Sequence, residues 1–178
     1  MTLKPDHLIF LDIEASGLGP DSWPIEVGLA WIVDQAVQTW SSLIRPEPDW
    51  DPDAWSDQSA IIHNIPREDL DAAPKAIDVA HEVMERIAAR HVISDAPGFD
   101  RMWMQRIFEA IDIVPPAFMH IDKVVASACN GDRNTVRRVL AQLEEEPRPH
   151  RAGADAARLA AAILYGMKMG RLSDGTSR

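Results

Sequence analysis

The chain has 178 residues, enough for one domain with a real hydrophobic core, and 46% of them are apolar with regular Pro and Gly punctuation, which excludes a disordered chain. Eighteen Lys/Arg against 28 Asp/Glu give a net charge of −10, which excludes a broad basic surface for long nucleic acids; no run of 18 apolar residues offers a membrane span. The single cysteine, Cys129, excludes an internal disulfide, no His/Cys spacing suits zinc, and the amino terminus lacks a signal peptide's apolar stretch, so a cytoplasmic protein is expected.

Residues 7–14 read as a strand, 24–34 as a second and 37–45 as a third, the last two joined by a tight turn at Asp34-Gln35-Ala36. A Pro- and Trp-rich stretch, 46–73, has no clear period and predicts irregular chain with short helical turns. Ala76, Ile77, Ala80, Val83, Met84 and Ile87 then form the stripe of an amphipathic helix. A short strand over 91–94 and a helix over 100–111, with Trp103, Ile107, Ala110 and Ile111 inward, come next. Phe118–Ile121 reads as a last strand, followed by helices at 122–128, 132–145 and 152–168. The final helix carries Ala156, Leu159, Ala160, Ile163, Leu164 and Met167 on its apolar face. The order is βββ, then α, β, α, β, α, which predicts an α/β fold: one mixed five-stranded sheet with helices packed on it, residues 1–169 as a single domain and 170–178 as a frayed tail. Gly17-Leu18-Gly19 lacks the third glycine of a dinucleotide fingerprint.

The chemistry starts in the first strand. Within Leu8-Ile9-Phe10-Leu11-Asp12-Ile13-Glu14 the two acids share one face, about 7 Å apart. Uncompensated negative charge among such apolar neighbours is costly, and no Lys or Arg lies in the strand. A divalent cation or a basic side chain from elsewhere must answer it. Asp100, behind a Pro-Gly turn, reads by itself most simply as a cap or first-turn acid of its helix. Asp155 borders the buried stripe of the last helix, and His150 lies five residues ahead of it, where the chain enters that helix. Four carboxylates gathered with an imidazole would need cations, and hard oxygen donors select Mg²⁺ or Mn²⁺ over zinc. A pair of such ions suits in-line phosphoryl displacement.

Phe10–Leu18 (FLDIEASGL), Ser94–Asp100 (SDAPGFD) and His150–Asp155 (HRAGAD), in that order, resemble the three motifs of the DEDDh group, the DnaQ-like 3′–5′ exonucleases of the ribonuclease H-like superfamily. The resemblance runs from about residue 7 to 167. It implies a ribonuclease H-like sheet and two Mg²⁺ or Mn²⁺ ions held by Asp12, Glu14, Asp100 and Asp155. It implies His150 as the general base that takes a proton from the attacking water. Backbone N–H groups near Glu14 and Ala15 would receive the 3′-terminal nucleotide, Leu18 would wedge against its base, and His63, in Ile62-His63-Asn64-Ile65, would line the same cleft. The implied partners are 3′ ends of single-stranded DNA or RNA, the products nucleoside 5′-monophosphates, and a homodimer is a common assembly in the group. Two departures lie near the substrate: Ser94-Asp95 stands where the second motif often has His-Asn, and Ala15 where Thr is frequent.

Other signals are weaker. Residues 1–130 hold nine Lys/Arg and 22 Asp/Glu, a net −13, whereas 131–178 hold nine and six, a net +3, so the C-terminal quarter is the natural landing surface for a polyanion. Arg133, Arg137 and Arg138, with Arg148 and Arg151 flanking His150, could touch phosphates, although a solvated helix face explains the first three equally well. Glu144–Glu146 reads as a solvated helix end. Trp50 and Trp55 could stack on bases but read more simply as anchors of their loop, and Trp31 and Trp103 as core. Two other readings compete: a nuclease confined to very short or modified oligonucleotides, and a non-catalytic nucleic-acid-binding or adaptor module of the same fold. The presence of all five motif side chains counts against the second.

Overall fold

The computed structural model describes residues 4–175. Strands β1 (Leu8–Ala15), β2 (Pro24–Val33) and β3 (Ala36–Leu43) form an antiparallel meander. Asp34 and Gln35 have φ of 49° and 61°, the geometry of a two-residue type I′ turn, whose twist suits the strands it joins. The expected irregular stretch contains one real helix, α1 (Asp57–His63), started by the Ser56 hydroxyl accepting from Ser59 N–H at 3.2 Å and stopped by Asn64 in the left-handed region. Helix α2 (Ala76–Ile87), β4 (His91–Ser94), α3 (Pro97–Glu109), β5 (Phe118–His120), α4 (Ile121–Ala128), α5 (Arg133–Glu145) and α6 (Ala152–Gly175) follow. The sheet order is β3-β2-β1-β4-β5, with β4 and β5 parallel to β1 and β4 respectively. Helix α6 runs to Gly175 instead of ending at 168, so the expected tail is helical from 170 to 175; residues 176–178 lie outside the described residues. No helix among the described residues is long and apolar enough to cross a membrane.

The pleat of β1 sorts the molecule into two cores. Ile9, Leu11 and Ile13 face α2 and α3, and Leu8 and Phe10 face α4, α5 and α6. Asp12 and Glu14 continue the second face, so they project toward α6. On α2 the buried stripe is Ala76, Val79, Ala80, Val83 and Ile87, while Ile77 is 41% exposed; the expectation put Ile77 inside, but it sits one position off the i, i+3, i+4, i+7 track. Trp50 and Trp55 pack on Trp23 with ring centroids 5.9 and 5.7 Å away, which makes them loop anchors. Trp103 is core, whereas Trp31 is only half-buried, its outer face covered by the Arg90 guanidinium at 5.8 Å.

One glycine decides how α6 meets the sheet. Gly28 of β2 is the register partner of Asp12, and a Cβ there would lie 2.0 Å from the carbonyl carbon of Ala152. Only a residue without a side chain lets the first turn of α6 rest on the strand pair beside Asp12.

Candidate active site

Five side chains from four places in the chain line one cleft of about 170 Å³: Asp12 and Glu14 from β1, Asp100 from the first turn of α3, Asp155 from the first turn of α6, and His150 from the loop before α6. Carboxylate oxygens of Asp12, Glu14 and Asp155 lie within 4.8 Å of one another. Asp100 is outside that tight group, yet its charge acts on Asp12 more strongly than any other. It is only 2% exposed and accepts hydrogen bonds from the Ser94 hydroxyl and from backbone at Ile13. The simple cap reading of Asp100 therefore gives way: β4 pairs with β1, and the turn after β4 delivers the carboxylate to the end of β1.

Crowding leaves a clear electrostatic mark. Burial first, then the charges of Asp100, Glu14, Asp155 and Asp95, push Asp12 well above the usual carboxylate range. Burial, Asp155 and Glu26 push Glu14 up to about 7, against the opposing pull of Arg151 and Arg148. Burial raises Asp100 to about 7 despite its hydrogen bonds. Among the described residues no ion pair or hydrogen bond reaches the carboxylates of Asp12 or Glu14. A pocket of hard oxygen donors whose charge no direct ion pair at Asp12 or Glu14 neutralises fits a divalent cation of the magnesium class.

The sequence reading missed two supporting residues. Arg158, 5% exposed, donates from Nε to Asp155 Oδ1 at 3.4 Å, from Nη2 to Asp95 Oδ2 at 3.4 Å and from Nη1 to the Leu143 carbonyl at 2.9 Å. Buried Glu26 of β2, the register partner of Glu14, accepts from Arg151 Nε at 2.9 Å, Arg151 Nη2 at 3.0 Å and Ala152 N–H at 3.1 Å. Each carried a faint signal: a lone acid in an apolar strand, and a lone arginine beside Leu159 on an apolar helix face. Neither signal names its partner.

A second depression of about 230 Å³ opens beside the first and shares Ile13, Glu14, Leu18, Trp103 and His150 with it. Ala15 and His63 line it as well, so all three residues expected to meet substrate lie in this adjoining depression. Leu18 is 72% exposed at its mouth. Its loop is tied down beneath, where the Trp103 indole donates to the Ser22 hydroxyl at 2.9 Å and that hydroxyl donates to the Gly19 carbonyl at 2.6 Å. His63 is 2% exposed; its Nδ1 accepts from Ile65 N–H at 3.1 Å, which leaves Nε2 as the protonated nitrogen, buried and without a partner. Burial lowers its pKa, so the ring is a neutral donor.

A mixed five-stranded sheet in the order β3-β2-β1-β4-β5, flanked by helices, is the ribonuclease H-like fold. Residues 9–163 match the RNase T exonuclease family, and the chain belongs to that family. Among solved structures, a 3′-exonuclease recognising a histone mRNA stem-loop matches with a TM-score of 0.66 at 17% identity over 92% of this chain and 64% of its own. E. coli exonuclease I, in a metal-free complex with single-stranded DNA, matches with a TM-score of 0.64 at 16% identity over 94% of this chain and 41% of its own. Exonuclease X bound to 5′-overhanging duplex DNA matches at 0.53 and 21% identity, over 90% of this chain and 91% of its own. The chain thus spans less than two-thirds of the length of the first two. No curated protein is significantly similar in sequence.

Proposed function

We propose that this protein is a metal-dependent 3′–5′ exonuclease that removes nucleoside 5′-monophosphates one at a time from single-stranded DNA or RNA. The observation that carries the reading is the convergence of Asp12, Glu14, Asp100, Asp155 and His150 on one cleft whose carboxylates have no cationic partner at Asp12 or Glu14. Two Mg²⁺ or Mn²⁺ ions held by the four acids would supply charge stabilisation at the attacking and leaving oxygens of the terminal phosphodiester. The chain's own groups do the rest. The His150 imidazole, at the cleft wall, takes the proton from the attacking water; the P–O3′ bond breaks, leaving a new 3′-hydroxyl on the strand and a 5′-phosphate on the released nucleoside. Leu18 offers an apolar edge for the terminal base and the backbone at Ala15 a donor to the terminal nucleotide, with His63 in the wall of the same depression.

Nucleic acid is named with each of the three solved relatives, which supports the substrate class. The net charge of −10 favours short strands as a second reading of substrate length within the same chemistry. The test is a 5′-labelled single strand incubated with Mn²⁺. Wild-type protein should produce a ladder shortened from the 3′ end, and Asp12→Ala or His150→Ala should not. Full activity in Asp12→Ala would refute the assignment, and binding without cleavage by wild type would favour the adaptor module.

A further inference from the structure

His150 reaches the cleft from a loop instead of from a strand or helix, and among the described residues no hydrogen bond holds its imidazole. Its backbone is also unusual, with φ at 51°, a left-handed conformation that a β-carbon disfavours. Something outside the residue must keep it there. Two ion pairs flank it, one on each side, and they run to different parts of the molecule. Two residues before it, Arg148 Nη2 lies 3.0 Å from Asp95 Oδ2 in the turn between β4 and α3. One residue after it, Arg151 makes a two-pronged bond to Glu26 on β2, and the same carboxylate accepts from Ala152 N–H. The Arg151 N–H itself donates to Asp155 Oδ2 at 3.2 Å.

We propose that these two clamps, Asp95–Arg148 and Glu26–Arg151, set the position of the His150 imidazole over the cleft, which makes Asp95 and Glu26 positioning residues for the reaction. The inference rests on His150 being the general base. Both acceptors are well placed for the task. Glu26 has a side chain 4% exposed and Asp95 14%, so each is fixed in the wall, while the arginines they grip are half-exposed and would otherwise swing freely. Arg158 locks Asp95 from behind through its own 3.4 Å contact. A bidentate guanidinium–carboxylate contact restrains orientation as well as distance, which a single point charge does not.

The experiment is a set of steady-state assays on a 5′-labelled oligonucleotide with Mn²⁺, using Glu26→Gln, Asp95→Asn and each combined with His150→Ala. At saturating Mn²⁺ a loosened base should lower kcat on the order of 10–100-fold with KM little changed, because misplacement by about 1 Å is enough to cost that much. In the His150→Ala background, followed at high enzyme concentration and long incubation to measure its small residual rate, the same substitutions should alter that rate by less than about twofold, since they have no imidazole left to act through. Urea unfolding checks that each variant is folded, and Asp95→Asn, at the rim, serves where Glu26→Gln folds poorly. Wild-type kcat in both single variants would overturn the proposal. So would an equal loss with and without His150, which would mark the clamps as supports of the carboxylates instead. Wild-type cleavage by His150→Ala would remove the assignment of the base, and the clamp with it.

Discussion

Substituting Gly28 by alanine tests the architecture of the cleft with the smallest possible change. The added methyl carbon would stand 2.0 Å from the Ala152 carbonyl carbon and 2.2 Å from Gly153 N. Carbon atoms rest about 3.5–4.0 Å apart, so β2 and α6 must separate by about 1.5 Å. Both contacted atoms are backbone, so no side-chain rotation relieves the overlap. Overpacking of this kind costs about 1–3 kcal/mol, which for a chain of this size lowers Tm by roughly 2–12 °C. The functional loss should be the larger effect. The displaced turn of α6 carries Asp155 and follows His150 directly, and a shift of that size costs on the order of 10²-fold in rate. Thermal unfolding and cleavage of a 5′-labelled strand measure the two effects on the same preparation. A Gly28→Ala protein with wild-type Tm and wild-type kcat would show that α6 does not rest on β2 as described, and the geometry of the cleft would fall with it.

The crowded acids make metal-free protein sensitive to pH. Glu14 and Asp100 have folded-state pKa values of about 7 against ordinary values of 4.5 and 3.8, so between about pH 4 and pH 7 the native state holds protons that the unfolded chain has released, and stability falls as pH rises through that window. Denaturation of chelator-treated protein should therefore give a higher urea midpoint at pH 5 than at pH 7.5, and saturating Mn²⁺ should abolish the difference; an unchanged midpoint across the window contradicts the electrostatic account. Asp12→Asn should stabilise the metal-free protein at pH 7.5 while abolishing cleavage, a trade visible in one melt and one assay. Leu18→Ala removes an exposed side chain, so Tm should hold while KM for the oligonucleotide rises several-fold; an unchanged KM removes Leu18 from the substrate site. His63→Phe removes the Nδ1 acceptor of the buried Ile65 N–H and leaves that donor unpaired, so Tm should fall while KM increases through the altered wall of the substrate depression; an unchanged Tm would contradict the anchoring role of that bond.

The sheet and most of its helices were legible because strands and amphipathic helices declare themselves by local period, and the paired acids of β1 stood out for the same reason. Asp155 and His150 each had an innocent local reading, and it was the resemblance of His150–Asp155 to the third motif that joined them. Asp100 was not decisive by itself, since an acid in a helical first turn has an innocent local explanation; what recruits it is the parallel pairing of β4 with β1, a tertiary fact. Glu26 and Arg151 are 125 residues apart, and no local pattern links them. Gly28 was equally silent, because the helix that demands its missing side chain lies more than a hundred residues downstream. Ile77 went wrong for a smaller reason: an apolar residue one step off the stripe looks inward until the helix phase is known.

The most direct measurement is an anomalous-difference map from crystals of wild-type protein soaked with manganese and a nucleoside 5′-monophosphate. Two peaks about 3.5–4 Å apart, bounded by the carboxylates of residues 12, 14, 100 and 155, are the expected result. A map with no peak there, or with manganese bound only at other acids, would contradict a metal-dependent nuclease centred on this cleft.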